Sequence, residues 1–449
     1  MMRFERAPRK TLRAMTALTA AAGILGVGLS GVVMAAPAMA KRPMTFWFMG
    51  ATNTQAKMVQ RLLLPWARSH HTTVTVTPVS SGAFTTQVDT AIASGTLPNV
   101  MVTSQGYPDI YAVDHLAVNI SAVDPALAKY IKANEPPLLA AGNTVFGGNV
   151  YGALESAAPE LTYVNIPVLK KLGLPMPTSW KVLDNTIIPA LLKHHLNYAG
   201  PGNSQWYWYA VLFSFGGQVY SPAGNKVVMA SPAGQAALKA YLAPYVVDHV
   251  STSTGPPQTM ADLFASGKYP VQLQGSGFFS SVTAVPHFPL NKWEVLPYPA
   301  GSKGDYTWTG GTAVAAFNHG LSVNKEECSL LGYFWSAPVQ RAITEQFAAK
   351  TQTLYTVANM LSWKGLKVKG LSATDLNTMR TSVLHSVGVQ SRTKVTLAQI
   401  LGMGNTWQNI QNDFDKMTLP KSTVKGNVAL LKHAAGVLQG GINAAGSGG

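Results

Sequence analysis

The run Trp206-Tyr207-Trp208-Tyr209 follows the loop Gly200-Pro201-Gly202-Asn203-Ser204 and precedes Phe215-Gly216-Gly217. Flat rings of this kind suit the apolar faces of a sugar or polyol, whose hydroxyls then need only a few fixed donors and acceptors. With 10 Trp and 16 Tyr the chain is well supplied with such rings. Trp308 stands just before Gly310-Gly311, where uncovered backbone amides would donate to hydroxyl or phosphate oxygens. The competing reading makes the rings core residues and the glycines a structural turn.

Chemistry that breaks or makes bonds is poorly represented. The chain contains no HExxH, no GxSxG and no zinc-type group of cysteines and histidines. His70-His71 and His194-His195 are adjacent pairs, which point in different directions on a helix or strand and read as solvated rather than metal-binding. Ser266-Gly267-Lys268 lacks the upstream glycine of a phosphate-binding loop. Cys328 is the sole cysteine, which excludes an internal disulfide, and its helical surroundings NKEECSLLGYFW mark a packed thiol rather than a nucleophile. A binding protein without metal or cofactor is expected, and not an enzyme.

These residues must be positioned by elements that the pattern of apolar residues makes legible. At 449 residues the chain exceeds one ordinary core, so two lobes are expected. Met44 to Met49 reads as a buried strand ending at Gly50, and a helix follows with Met58, Leu62 and Leu63 on one face. Alternating Thr and Val over residues 72–79 give a second strand. Phe84, Val88, Ala91 and Ile92 recur at helical spacing before Gly95, and residues 99–103 give a third strand. Strand, helix, strand, helix, strand describes a doubly wound α/β lobe with its crevice beyond the carboxyl ends of the strands. Later helices are expected over residues 232–245, 260–264, 328–335, 339–347, 404–417 and 424–438, with strands over 269–273 and from Gly310.

The first forty residues read as an export signal. Arg3, Arg6, Arg9, Lys10 and Arg13 precede an apolar stretch from Ala14 to Met34, and Ala38-Met39-Ala40 offers a small-x-small cleavage site. Cleavage after Ala40 into a periplasm is expected, with a retained membrane anchor as the alternative because the apolar stretch approaches a bilayer span. Lys and Arg total 34 against 19 acidic residues; without the leader's five basic and one acidic residues the balance is 29 to 18. The basic residues are scattered, with no run longer than two and no nucleic-acid motif, so nucleic acid is not an expected partner. Scarce carboxylates fit a protein living in acidic surroundings.

Several segments in order, TFWFMGATN, TAIASGTLPNVMV, VYGALESAAPELTYVNIPVLKKLGLPMPTSW, SFGGQVYSP, LFASGKYPVQLQGSG, VLPYPAGSKG and WTGGTAV, resemble the extracellular solute-binding proteins of ABC importers, in the branch that binds maltose-type sugars and glycerol phosphates. The resemblance implies an α/β fold of the periplasmic-binding-protein type II, two lobes joined by three hinge crossings. Its boundaries would be residues 41–153 and 295–354 for the first lobe, residues 154–294 and 355–440 for the second, and a disordered tail over 441–449. The crossings would lie at Tyr151 to Leu154, at Trp293 to Leu296 and near Thr353 to Thr356.

Residue by residue, the resemblance places a stacking tryptophan at Trp206 or Trp208 and ligand-facing amides at Gly310 and Gly311 beside Trp308. It places a contacting serine at Ser276 and an aromatic site residue at Trp407. Glu155 at the first crossing, Gln105 after the third strand, Phe84, Asn53 and Tyr355 complete the candidate set, although relatives carry an acid near the position of Gln105 and their tyrosine lies about two positions from Tyr355. Gln399 to Gly402 offers no arginine for a phosphate, which favours a neutral sugar, oligosaccharide or polyol. The expected function is ligand capture by lobe closure and delivery to ABC permease transmembrane subunits, by a monomer. The alternatives are a ligand sensor for a chemoreceptor and an exported glycan or phosphate hydrolase.

Overall fold

The computed structural model describes residues 42–140, 143–200, 202, 204–221, 226–247, 256–351, 354–387, 397–419 and 421–446. The leader and its cleavage site, as well as residues 447–449, lie outside them. The strands, in chain order, are β1 (Met44–Met49), β2 (Val74–Val79), β3 (Val100–Ser104), a short hairpin of β4 (Val145–Phe146) and β5 (Asn149–Val150), β6 (Ala153–Asn165), β7 (Val271–Gly275), β8 (Trp293–Leu296), β9 (Thr307–Ala316) and β10 (Ser386–Val387).

β1 pairs in parallel with both β2 and β3. The intervening helices Asn53–Ser69 and Phe84–Ser94 supply the right-handed crossovers that parallel pairing demands. Local chemistry fixes their ends. The Thr52 side chain accepts from the Gln55 amide at 3.2 Å while Gln55 Oε1 accepts from the Thr52 amide at 2.9 Å, a reciprocal cap. Gly95 closes the second helix at φ 66°, a conformation glycine adopts without a Cβ penalty. Phe46, Phe48, Val59, Leu63, Phe334 and Phe347 pack into one core of this lobe.

The second lobe is built on the far half of β6. Its residues 160–164 pair antiparallel with β7, and residues 162–165 pair antiparallel with β8. A core containing Trp180, Trp208, Tyr209, Leu212, Tyr241 and Phe414 covers one side of it. Another containing Tyr163, Phe264, Phe278 and Trp363 covers the other.

β6 and β9 are the two long strands, and each passes from one lobe into the other. β9 pairs with β3 through residues 312–316 and with β6 through residues 309–314, while its first residues, Thr307 and Trp308, pair with β10. The second crossing therefore runs along β9 and not along β8: Trp293 to Leu296 is too short and reaches only the outer end of β6. The third passage lies alongside β6, where the Ala157 amide donates to Thr356 O at 2.8 Å and the Ala358 amide to Glu155 O at 3.3 Å. The expected strand over 269–273 is shifted to residues 271–275. At the C-terminus two helices, Leu397–Met417 and Val424–Gly446, pack against each other. The second continues through residues 441–446, because Leu431, Ala434, Leu438 and Ile442 extend its buried stripe beyond the expected end.

Gly311 is required where β9 passes β6. A Cβ there would stand 2.2 Å from Ser156 O, whereas a Cβ at Gly310 would meet nothing closer than the Trp308 ring at 3.4 Å. Gly311→Ala should therefore destabilise the protein by about 1–3 kcal/mol through forced strand separation, and Gly310→Ala should be nearly neutral. Urea unfolding of the two variants checks this; equal stabilities would contradict the close approach.

Candidate functional site

The helix Gln205–Ser214 begins at Ser204, whose hydroxyl accepts from the Trp206 amide at 3.3 Å. This start holds Trp206 and Tyr207 half-buried at the helix mouth. Trp308 on β9 meets both: its ring centroid lies 6.3 Å from that of Trp206 at an interplanar angle of 34°, and 5.5 Å from that of Tyr207 at 69°. Three partly accessible rings from a helix and a strand thus form one platform, with the bare Gly310 Cα beside the Trp308 indole. Such offset and edge contacts hold the rings in place while leaving faces free.

The helix 397–417 is tied to the same corner. Gln205 Nε2 donates to Trp407 O at 3.1 Å, and the Trp407 side chain is 43% exposed. Trp407 is therefore available next to the platform, although it makes no ring contact with it.

Beside the platform lies the crossing. The pairing of β6 with β9 shifts register between Leu154 and Ser156, leaving Glu155 at the irregularity. Thr312 Oγ1 donates to Glu155 Oε2 at 2.6 Å, Ser156 Oγ lies 2.7 Å from the same hydroxyl, and the Tyr355 hydroxyl lies 3.3 Å from it. Glu155 and Tyr355 are thus brought together through Thr312, from the first, third and second passages respectively. Glu155 is fully buried, its Oε1 has no partner, and burial pushes its carboxyl up to about 8 despite the bond from Thr312. Gln105 stands nearby: its Nε2 donates to Thr309 O at 2.7 Å, its amide donates to Gly311 O at 3.3 Å, and its Oε1 is buried without a partner.

Other expected residues are placed differently. Trp208 has no exposed surface and packs between Tyr209 and Phe414 in the core, one helical step beyond Trp206 on the inward face, so its ring cannot meet a ligand. Phe84 is buried against Tyr107 in the first lobe for the same reason. Ser276 is fully buried with its hydroxyl 3.2 Å from Thr356 Oγ1, which makes it part of the third passage. Gly310 and Gly311 lie within β9 rather than at its start, paired with Ala158 and Ala157. Asn53 is the exposed first residue of its helix and shares no hydrogen bond or ring contact with the platform. Cys328 is buried, and burial pushes its thiol up to about 12.

Three residues of this region escape a reading of the sequence. Tyr207 lies in the aromatic run and was passed over for its neighbours; Thr312 follows the two glycines; and Glu160 is an acid inside the apolar strand APELTYVN. That last interruption of an otherwise apolar pattern is the signal that identifies it. Among the described residues no group of three or more His, Cys, Asp and Glu could hold a metal ion, and no helix is long and apolar enough to cross a membrane.

Two α/β lobes, three connecting passages and an aromatic platform where they meet define a two-lobed binding protein of the periplasmic type II fold. The chain belongs to the bacterial extracellular solute-binding protein family, whose model matches residues 52–321. Solved structures agree in fold. The GacH receptor of Streptomyces glaucescens, solved unliganded and with acarbose, aligns with TM-score 0.67 and 18% identity over 89% of this chain and 99% of that one. The sugar-binding protein MalE of Xanthomonas citri gives 0.70 and 17% over 88% and 97%. The cyclic alpha-maltosyl-1,6-maltose binding protein of Arthrobacter globiformis gives 0.71 and 15% over 89% and 99%. No curated protein matches the chain significantly by sequence.

Among the described residues four buried carboxyls lack a basic partner. Burial raises Asp109 from 3.8 to about 7, and Glu135, Glu155 and Glu160 from 4.5 to about 8. Each binds its proton more tightly in the folded than in the unfolded chain, so stability is greatest below the unfolded values and is lost as pH rises through about 7 to 8. His319, raised by its bond to Glu327, adds in the same direction. The melting temperature should fall from about pH 5 to about pH 9, with a shallower fall in Glu155→Gln. A profile that is flat or rises over this range would contradict the burial of these groups.

Proposed function

We propose that this protein is the substrate-binding component of an ABC importer that captures a neutral or near-neutral sugar, oligosaccharide or polyol and presents it to a membrane permease. The observation that carries this reading is the half-buried cluster of Trp206, Tyr207 and Trp308 at the corner where β9 passes between the lobes. Rings offer flat faces to sugar C–H groups, and the neighbouring Gln105, Thr312 and Tyr355 supply fixed donors and acceptors for hydroxyls. That the solved relatives include sugar-binding proteins supports the same class of ligand.

A phosphorylated ligand is less well served. No Lys or Arg is buried among the described residues, and a phosphate in a closed cleft calls for such a partner or for free amides. The amides of Gly310 and Gly311 belong to residues paired within the sheet.

In the proposed cycle the ligand lands first on the aromatic platform of the second lobe. The lobes then rotate about β6, β9 and the passage at Thr356–Ala358, bringing Gln105 and the first lobe over it and excluding water. The permease discriminates the closed, loaded form from the open one by differential affinity. The mature chain is proposed to begin after Ala40 in an exported, periplasmic protein that acts as a monomer, with the energy supplied by an ATPase elsewhere.

A thermal-shift screen of mono- and disaccharides, oligosaccharides, polyols and their phosphates tests the reading, because a bound ligand raises the melting temperature by mass action. For the ligand so found, Trp206→Ala should weaken binding by about 1–3 kcal/mol with the fold retained. Trp208→Ala should instead cost about 3–5 kcal/mol of stability. Unchanged affinity in a folded Trp206→Ala protein would remove that ring from the site.

A further inference from the structure

Glu160 is the one acid on β6 beyond the crossing, and it has no structural partner. Its backbone carbonyl accepts from Thr307 Oγ1 at 2.7 Å, but its carboxyl oxygens make no hydrogen bond among the described residues. The side chain is only 6% exposed. Directly across the ladder stands Gly275, and a Cβ there would lie 3.3 Å from Glu160 Oε1. The carboxyl thus rests over a bare Cα at the end of β7, where the chain turns into Ser276.

The titratable groups that sense it are all phenols. Glu160 opposes ionisation of Tyr207, which is raised to about 12 by burial and then by this charge, and it does the same to Tyr163 and Tyr298. No Lys, Arg or His acts on it, and burial alone raises it. Pro159, the residue before Glu160, pairs with Thr309, Thr307 Oγ1 donates to the Glu160 carbonyl, and Tyr207 meets the Trp308 ring at 5.5 Å, so the carboxyl and the aromatic platform share one neighbourhood. Ionising an unpaired buried acid is costly, so the group keeps its proton until a counter-charge arrives.

A carboxyl next to an aromatic cluster is an environment that attracts an ammonium group, which gains a counter-charge and the ring quadrupoles together. A hydroxyl would gain only a hydrogen bond from the protonated carboxyl, whereas an ammonium gains a counter-charge as well. We propose that Glu160, with Tyr207 and Trp308, selects a saccharide bearing a free primary amine, its ammonium seated against the Glu160 carboxylate. This rests on the sugar-binding reading and narrows it. Burial, which pushes the Glu160 carboxyl up to about 8, leaves a proton on it in the empty protein in mildly acidic solution, and seating the ammonium expels that proton to the buffer.

The probes are the glucosamine disaccharide, its N-acetylated counterpart and cellobiose, titrated calorimetrically into the mature protein at about pH 6, where amine and empty carboxyl are both protonated. The amine is expected to bind at least roughly tenfold more tightly than the two neutral sugars. In buffers of different ionisation enthalpy it alone should release about one proton per ligand. Glu160→Gln, nearly isosteric, should abolish both the preference and the proton release, so that the amine no longer binds more tightly than the two neutral sugars. Equal binding of all three sugars by the unaltered protein, or amine binding without proton release, would overturn the amine selection and leave the sugar-binding reading standing. Failure of every saccharide in this set and in the thermal-shift screen would overturn both.

Discussion

The antiparallel pairing of β6 with β9 is the constraint on which the rest of the structure depends. Both strands are long enough to serve two lobes: β6 has 13 residues and β9 has 10. Because the two strands are hydrogen-bonded to each other as they cross, the lobes are joined by a ribbon that resists separation but can twist. Its weak point is the register shift at Glu155, where the ladder is interrupted and side chains replace backbone bonds. Thr312 binds Glu155 and contacts Ser156 and Tyr355 there, so one hydroxyl gathers all three passages. Any rotation about the crossing would have to rearrange or carry these contacts.

The same crossing explains where the aromatic platform sits. Trp308 lies two residues before Gly310, and Gly311 has no Cβ because Ser156 O occupies that space. The strand can therefore approach β6 closely and still present Trp308 to the mouth of the helix 205–214. Trp206 and Trp208 show how sharply a helix sorts its rings: two positions apart, one is half-buried at the platform and the other is sealed behind Tyr209 and Phe414. A helical step of two residues turns a side chain to nearly the opposite face, so the ring available to a ligand is decided by the phase of the helix and not by the richness of the run.

This phase is what the sequence left open. The first three strands and two helices were legible to within about two residues, because Met44–Met49, the Thr and Val alternation and the Phe84 to Gly95 pattern each carry a single period, whereas the short helices between Tyr107 and Ala140 carry too few turns to show one. The crossings were legible in number but not all in place. Trp293 to Leu296 and Thr307 to Ala316 are both strands, and only pairing partners, which sequence does not display, decide which one spans the lobes. Gly310-Gly311 read as a turn because glycine usually marks one; here close strand approach imposes the second glycine, and nothing local distinguishes the two causes. Glu155 and Tyr355 were named separately, and it was the long-range meeting through Thr312 that made them a unit.

The buried acids tie these features to the chemical setting of the protein. A carboxyl buried without a base is tolerated when it keeps its proton, and Asp109, Glu135, Glu155 and Glu160 are all held above their ordinary range by burial. Three of them are fixed near the passages: Glu135 accepts from the amide of Leu154, Glu155 from Thr312, and Glu160 lies five residues further along β6. In mildly acidic surroundings these groups are neutral, and the crossing is held by ordinary hydrogen bonds between uncharged partners. In alkaline surroundings each must either ionise in place or draw in water, and the hydrogen bonds of the crossing would then form in a wetter, less apolar setting. The neutral form of these acids therefore costs the crossing little, whereas the charged form costs it the desolvation of an unpaired carboxylate.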